Sequence, residues 1–161
     1  MKRTRRLTLP PLKRMRRLAF ACLGMMLSTA CMELHTSENG QLDGFWQLTQ
    51  VDTLESGRSE DVSQRMIFWS VQKDLLQMQD RHDMTHAYLG IFFHFRHEGD
   101  QLTVYDPIID NRLISDSVVT EVRMLTFYGV YHLEETFCIL RLEDKKMTLE
   151  NERLRMYFRK Y

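Results

Sequence analysis

From Phe45 onward the chain alternates short apolar runs with short polar breaks. Eight runs read as strands: "FWQLTQV" (45–51), "RMIFWSVQ" (65–72), "LLQMQD" (75–80), "YLGIFFHFRH" (88–97), "QLTVYD" (101–106), "FCILRL" (137–142), "KMTLEN" (146–151) and "RLRMYFRKY" (153–161). Side chains on a strand alternate between faces. Ile91, Phe93, Phe95 and His97 therefore share one face, and Phe92, His94 and Arg96 the other. Phe68 and Trp69 split in the same way, as do Tyr157 and Phe158. Lys73-Asp74, Glu98-Gly99-Asp100 and Glu143-Asp144-Lys145 separate three pairs of runs and predict hairpins. Every readable pairing is local and antiparallel. The pattern predicts an all-β fold, an up-and-down barrel or a sandwich. The stretch 107–130 is ambiguous. Val118, Val122 and Leu125 share a helical face, whereas Val118, Val119 and Val122 suit a strand, so a short helix within 115–126 stays open.

The first thirty residues follow a different pattern. Leu18–Ala30 is a 13-residue apolar run behind eight basic residues, with no acid before Cys31. A membrane span needs about 20 apolar residues, so basic region, apolar run and small residues in that order predict an export signal. Met15 would start a signal of more ordinary length. Residues 31–42 are polar, carry Asn39-Gly40 and read as a flexible tether, leaving 43–161 as one domain. The split exposes a hidden charge. The chain holds 22 basic and 22 acidic residues; setting aside the eight basic residues of the signal leaves 14 against 22 in residues 31–161, a net charge of −8. That sign argues against nucleic acid and against adhesion to anionic lipid.

"LSTAC" (27–31) resembles the lipobox of bacterial lipoproteins. The resemblance implies cleavage of the Ala30–Cys31 bond and lipidation of Cys31. Two or more acyl chains anchor a protein stably where one does not. Cys22 lies inside the apolar run, where a cut would leave an apolar end. With Cys22 removed and Cys31 acylated, Cys138 has no partner. It sits between Phe137 and Ile139 and is expected to be a small buried apolar residue.

"GFWQL" (44–48) resembles the Gly-x-Trp start of lipocalin-type barrels. Together with "FRKY" at the end of the last strand, it makes the chain similar to small lipocalin-like (calycin-type) bacterial lipoproteins. The resemblance implies an eight-stranded up-and-down antiparallel barrel with Trp46 at its closed end. It also implies that a last-strand arginine, Arg159 or secondarily Arg155, covers that indole by a cation–π contact worth ~0.5–2 kcal/mol. An eight-stranded barrel is wide enough to be filled by side chains or to hold one small ligand. Trp69, Ile91, Phe93, Phe95 and Tyr157 are candidate cavity-lining residues, and they serve equally as a plug.

Candidate chemistry adds little. "HDMTH" places His82 and His86 one helical turn apart, in the manner of a zinc site. However, its acid is Asp83, its context is a link between strands, and no third ligand is evident. Asp106, Asp110, Asp116 and Glu121 lack the alternating spacing of a calcium loop. No phosphate-binding glycine loop or nucleophile elbow occurs, so neither catalysis nor a cofactor is expected. Two functions compete. One is a lipoprotein of the cell envelope, held in the outer membrane through Cys31, whose barrel binds a small apolar ligand. The other is a filled barrel that recognises an envelope protein.

Overall fold

The computed structural model describes residues 37–82, 88–111 and 116–161. The expected signal segment with Ala30, the expected lipidation site Cys31 and the Asp83–His86 part of the histidine string lie outside them. Ten strands follow one another: β1 (Gly44–Thr53), β2 (Arg58–Asp61), β3 (Ile67–Gln72), β4 (Leu75–Asp80), β5 (Tyr88–Glu98), β6 (Gln101–Asn111), β7 (Ser117–Val118), β8 (Glu135–Glu143), β9 (Lys146–Glu150) and β10 (Leu154–Lys160). Eight of them run β10-β9-β8-β6-β5-β4-β3-β1, and β10 pairs back onto β1 from Trp46↔Lys160 to Thr53↔Leu154. The result is a closed eight-stranded antiparallel barrel, as the lipocalin resemblance implied and as one of the two architectures that the strand pattern allowed. Closure removes both sheet edges and so satisfies their backbone groups. The two short extra strands, β2 on β1 and β7 on β6, lie off that ring.

Three local differences from the expected elements have clear causes. β6 runs five residues beyond its expected end at Asp106. Asp106 takes a left-handed conformation (φ 52°), Pro107 follows, and the ladder to β5 resumes at Ile108↔Phe92 after a register shift. Proline has no N–H to give the ladder and is tolerated in a strand at such a bulge. Next, the ambiguous 115–126 stretch holds no α-helix among its described residues. It holds β7 and the 3-10 turn Val122–Met124, followed by a second turn, Thr126–Tyr128. In 3-10 geometry residues three apart eclipse each other, and here both Leu125 and Tyr128 are buried. Finally, residues 37–42, placed in the tether by composition, pack on the barrel. Leu42 is 0% exposed, Asn39 Nδ2 donates to Lys73 O (2.6 Å), and Ser37 Oγ accepts from Lys73 N–H (3.0 Å).

The core lies inside the barrel. Trp46, Leu48, Trp69, Val71, Leu76, Met78, Phe93, Leu102, Val104, Phe137, Met147, Leu149, Met156 and Phe158 are all buried in one cluster. A smaller cluster covers the outer face of β1 and β3. There Phe45 stacks on Phe68 (4.5 Å), Tyr161 meets Phe68 edge-on (5.6 Å), and the Arg81 guanidinium lies 5.1 Å from the Phe45 ring. Cys138 is exposed, contrary to expectation. Phe137 occupies the inward position on β8, so alternation turns its neighbour to solvent.

Candidate functional site

The barrel interior is built in layers from its closed end. Leu42 and Trp46 form the floor, and Trp46 Nε1 donates to Leu42 O (2.8 Å). Lys160 stands opposite Trp46 in the β1–β10 register, and its Nζ sits 4.7 Å from the indole centroid. The cation over Trp46 is thus Lys160, and the expectation for Arg159 is corrected. Arg159 is opposite Gln47, on the outer face, where its Nη2 donates to Gln47 Oε1 (2.6 Å) and its guanidinium lies over Tyr161. Arg155, the second candidate, is also turned away and donates to Glu150 Oε2 (2.6 Å). The glycine of Gly-x-Trp has a matching reason. Gly44 adopts φ +131°, and a Cβ there would meet Lys160 Cε at 2.7 Å. A side chain at position 44 would therefore crowd the lysine that closes the floor.

Above the floor, Trp69 pairs across from Trp46. Its ring meets Phe137 at 5.5 Å and Phe158 at 5.0 Å. Trp69, Ile91, Phe93 and Phe95 all belong to the interior cluster, four of the five residues singled out from the sequence. Tyr157 does not. Met156 and Phe158 take the inward positions of β10, so Tyr157 points outward and its hydroxyl donates to Asp52 Oδ2 (2.8 Å). Hydrogen bonds from Ser59, Gln50 and Tyr157 hold the Asp52 carboxyl below its ordinary range. The Asp52 acceptor in turn pushes the Tyr157 phenol up. Trp69 itself carries one unmet need: its Nε1 is buried and has no hydrogen-bond partner among the described residues. A buried donor left unpaired costs ~1–3 kcal/mol.

The segment Val119–Val130 caps the other end, with Val119, Leu125, Tyr128 and Val130 buried in the same cluster. Beneath the cap lies a pocket of about 150 Å³, walled by Leu48, Ile67 and Met156 of the barrel and by Phe127 and Gly129 of the cap. Ile67 is the next inward position above Trp69 on β3. The Glu60–Arg65 ion pair lies at the pocket's rim. The cap is tied down by a buried polar network that the sequence did not reveal. Asn151 Nδ2 donates to Gly129 O (3.0 Å) and to Glu135 Oε1 (2.9 Å), while Glu135 Oε2 accepts from Tyr131 N–H (2.8 Å). Asn151 Oδ1 accepts from the N–H groups of Arg153 and Leu154. Asparagine in the turn "NER" was the available signal; nothing in the sequence marks Glu135 as its partner.

Of the histidine string, only His82 is described; it is exposed at the end of β4. Among the described residues no group of three or more His, Cys, Asp or Glu is arranged to hold a metal ion. Nor is any described helix long and apolar enough to cross a membrane.

With a closed eight-stranded ring, a floored end and a capped mouth established, comparison with known proteins becomes decisive. The family model for the lipocalin-like domain matches residues 25–161. The chain belongs to the lipocalin-like domain family. Two solved structures share its fold. A lipocalin-like protein from Bacteroides uniformis ATCC 8492 is 22% identical, with a TM-score of 0.57 over 76% of this chain and 100% of that one. An uncharacterized protein from Bacteroides eggerthii DSM 20697 is 21% identical, with a TM-score of 0.55 over 74% of this chain and 98% of that one. No curated protein matches. At these identities the two structures support the fold of the lipocalin-like domain and nothing finer. Its chemistry must come from its own residues.

Proposed function

We propose that this lipocalin-like protein is a lipoprotein of the cell envelope, anchored in the outer membrane through Cys31. Its barrel takes up one small, largely apolar molecule that carries a hydrogen-bond acceptor. The Trp69 indole carries the proposal. Its N–H is buried among apolar side chains without a partner among the described residues, one inward step below a pocket lined by Leu48, Ile67 and Met156. An acceptor on a ligand would satisfy that donor, and the surrounding aliphatic and aromatic wall would bury the ligand's apolar body. Residues "LSTAC" support the anchor. The proposal is for binding, with no reaction and no cofactor.

Native mass spectrometry of the protein purified from its own envelope tests this reading. A reproducible added mass is expected, and it should be lost from Trp69→Phe at a retained melting temperature. Bare protein in every preparation would count against a ligand. For the anchor, Cys31→Ser should shift the protein from the membrane to the soluble fraction.

The second reading, recognition of an envelope protein, draws on the cap. Met124 is 44% exposed, Phe127 46% and Leu133 40%, three apolar side chains turned outward near the mouth. A partner that protects these residues from solvent while the barrel stays free of added mass would favour it.

A further inference from the structure

Basic residues are the minority in residues 31–161, yet five of them line one groove along β8, β9 and β10, with the Lys160 ammonium turned to Trp46 and Gln41 O at its edge. Arg141, Lys145, Lys146, Arg159 and Lys160 line a groove of about 520 Å³, and no Asp or Glu is among its described lining residues. Strand register builds it. Lys146 stands directly across from Arg159, and Thr148 stands across from both Arg141 and Tyr157. Neighbouring strands are about 4.8 Å apart, so Thr148 and Tyr157 stand next to cations on adjacent strands, with the Tyr157 hydroxyl turned to Asp52. Like charges directly opposite one another destabilise a sheet. An anion bound between Lys146 and Arg159 would turn that repulsion into attraction.

The local partners leave much of this charge unspent. Glu143, which stands across from Lys146 on the β8–β9 ladder and attracts it, is bound to Arg141 at 2.6 Å. The Lys145 and Lys146 ammonium groups have no hydrogen-bond partner among the described residues. Gln47 Oε1 accepts from Arg159 Nη2 and the guanidinium lies over Tyr161, so the Arg159 side chain that lines the groove is held in place. A planar guanidinium beside two ammonium groups suits the oxygens of a phosphate group.

Position adds the second observation. The groove lies at the closed end of the barrel, where the chain enters. Lys160 Nζ donates to Gln41 O (2.9 Å), and Gln41 is ten residues after Cys31. Ten residues span at most about 33–36 Å. We propose that this groove binds a phosphate group, carried by the headgroup of an anionic phospholipid in the membrane that holds Cys31. The headgroup as source rests on the lipid-anchor reading above; the phosphate chemistry does not. The domain's net charge would repel such a surface at long range, but within a Debye length of about 8 Å the local patch dominates.

The test is NMR on the full chain in uncharged maltoside micelles, with two probes, phosphatidylglycerol doped into the micelles and inorganic phosphate in solution. Saturable shifts at Lys146, Thr148, Tyr157 and Arg159 are expected with phosphatidylglycerol. The double variant Lys145→Gln/Lys146→Gln should weaken that response about tenfold at an unchanged melting temperature. Lys73→Gln, a cation at the same end outside the groove, should leave it unaltered. Saturation by inorganic phosphate with no response to phosphatidylglycerol would overturn the headgroup assignment. No saturable shift with either probe would overturn the site. Binding to doped micelles does not depend on how Cys31 is processed, so failure of the anchor, read by fractionation, stays distinguishable.

Discussion

Lys160 lies directly across the β1–β10 ladder from Trp46, with its ammonium 4.7 Å from the indole centroid. Removing the lysine exposes the floor of the barrel and loses a cation–π contact. Lys160→Ala should therefore lower stability by ~0.5–2 kcal/mol, measured by urea unfolding. In a Trp69→Phe background the emission of Trp46 should shift with Lys160→Ala and stay fixed with Arg159→Ala. Equal shifts from both variants would restore Arg159 as the cover.

Gly129 ends the 3-10 turn Thr126–Tyr128 in the left-handed region (φ +84°), and a Cβ there would meet Met156 Sδ at 2.4 Å. Gly129→Ala combines backbone strain with a clash against the barrel wall. A loss of ~1–3 kcal/mol is expected, together with faster amide hydrogen exchange from Leu125 to Val130. Wild-type exchange in the variant would show that the cap tolerates a side chain.

Asn151 joins the cap to the barrel through Gly129 O and Glu135 Oε1. Asn151→Leu leaves both acceptors buried and unpaired, along with the N–H groups of Arg153 and Leu154. The expected cost is ~2–4 kcal/mol, from more than one unsatisfied group. The companion change Glu135→Gln keeps the shape and should cost less. Thermal melts of the two variants give the ranking, and the reverse order would mean that the carboxylate charge matters more than the amide network.

The Tyr157–Asp52 hydrogen bond predicts opposite pH limits. The Asp52 carboxyl is held low, chiefly by Ser59, so its contribution is present above its unfolded value near 3.8 and is lost as pH falls through the lower folded value. The Tyr157 phenol is pushed up, chiefly by Asp52, so its contribution is present below 10.0 and is lost as pH rises through the higher folded value. Asp52→Asn should bring the Tyr157 titration back toward 10.0. Carbon-13 NMR of the Tyr157 ring would follow it, and an unmoved midpoint would show that another group raises the phenol.

Much of the barrel was legible because strand signals are local. Alternation and turn residues marked all eight ring strands, and β4 matches its expected span, 75–80, at both ends. The parts that were missed depend on distant partners. Leu42 was read as tether because its neighbours are polar, but Trp46 Nε1 and the barrel floor hold it. Tyr157 was grouped with the interior because it is aromatic, although its strand parity sends it to Asp52.

The sequence by itself determined the eight strands of the ring, their hairpins and the acidic character of residues 31–161 behind a basic first thirty residues. Those follow from nearest neighbours and from addition of charge. Only the tertiary structure decided which cation covers Trp46, that the Trp69 donor is unpaired among the described residues, and that five cations share one groove. The first two depend on the closing of the ring, which pairs strands more than a hundred residues apart, and the third on the register of β8, β9 and β10. A one-residue shift in the β1–β10 register would exchange Lys160 for Arg159 over the floor.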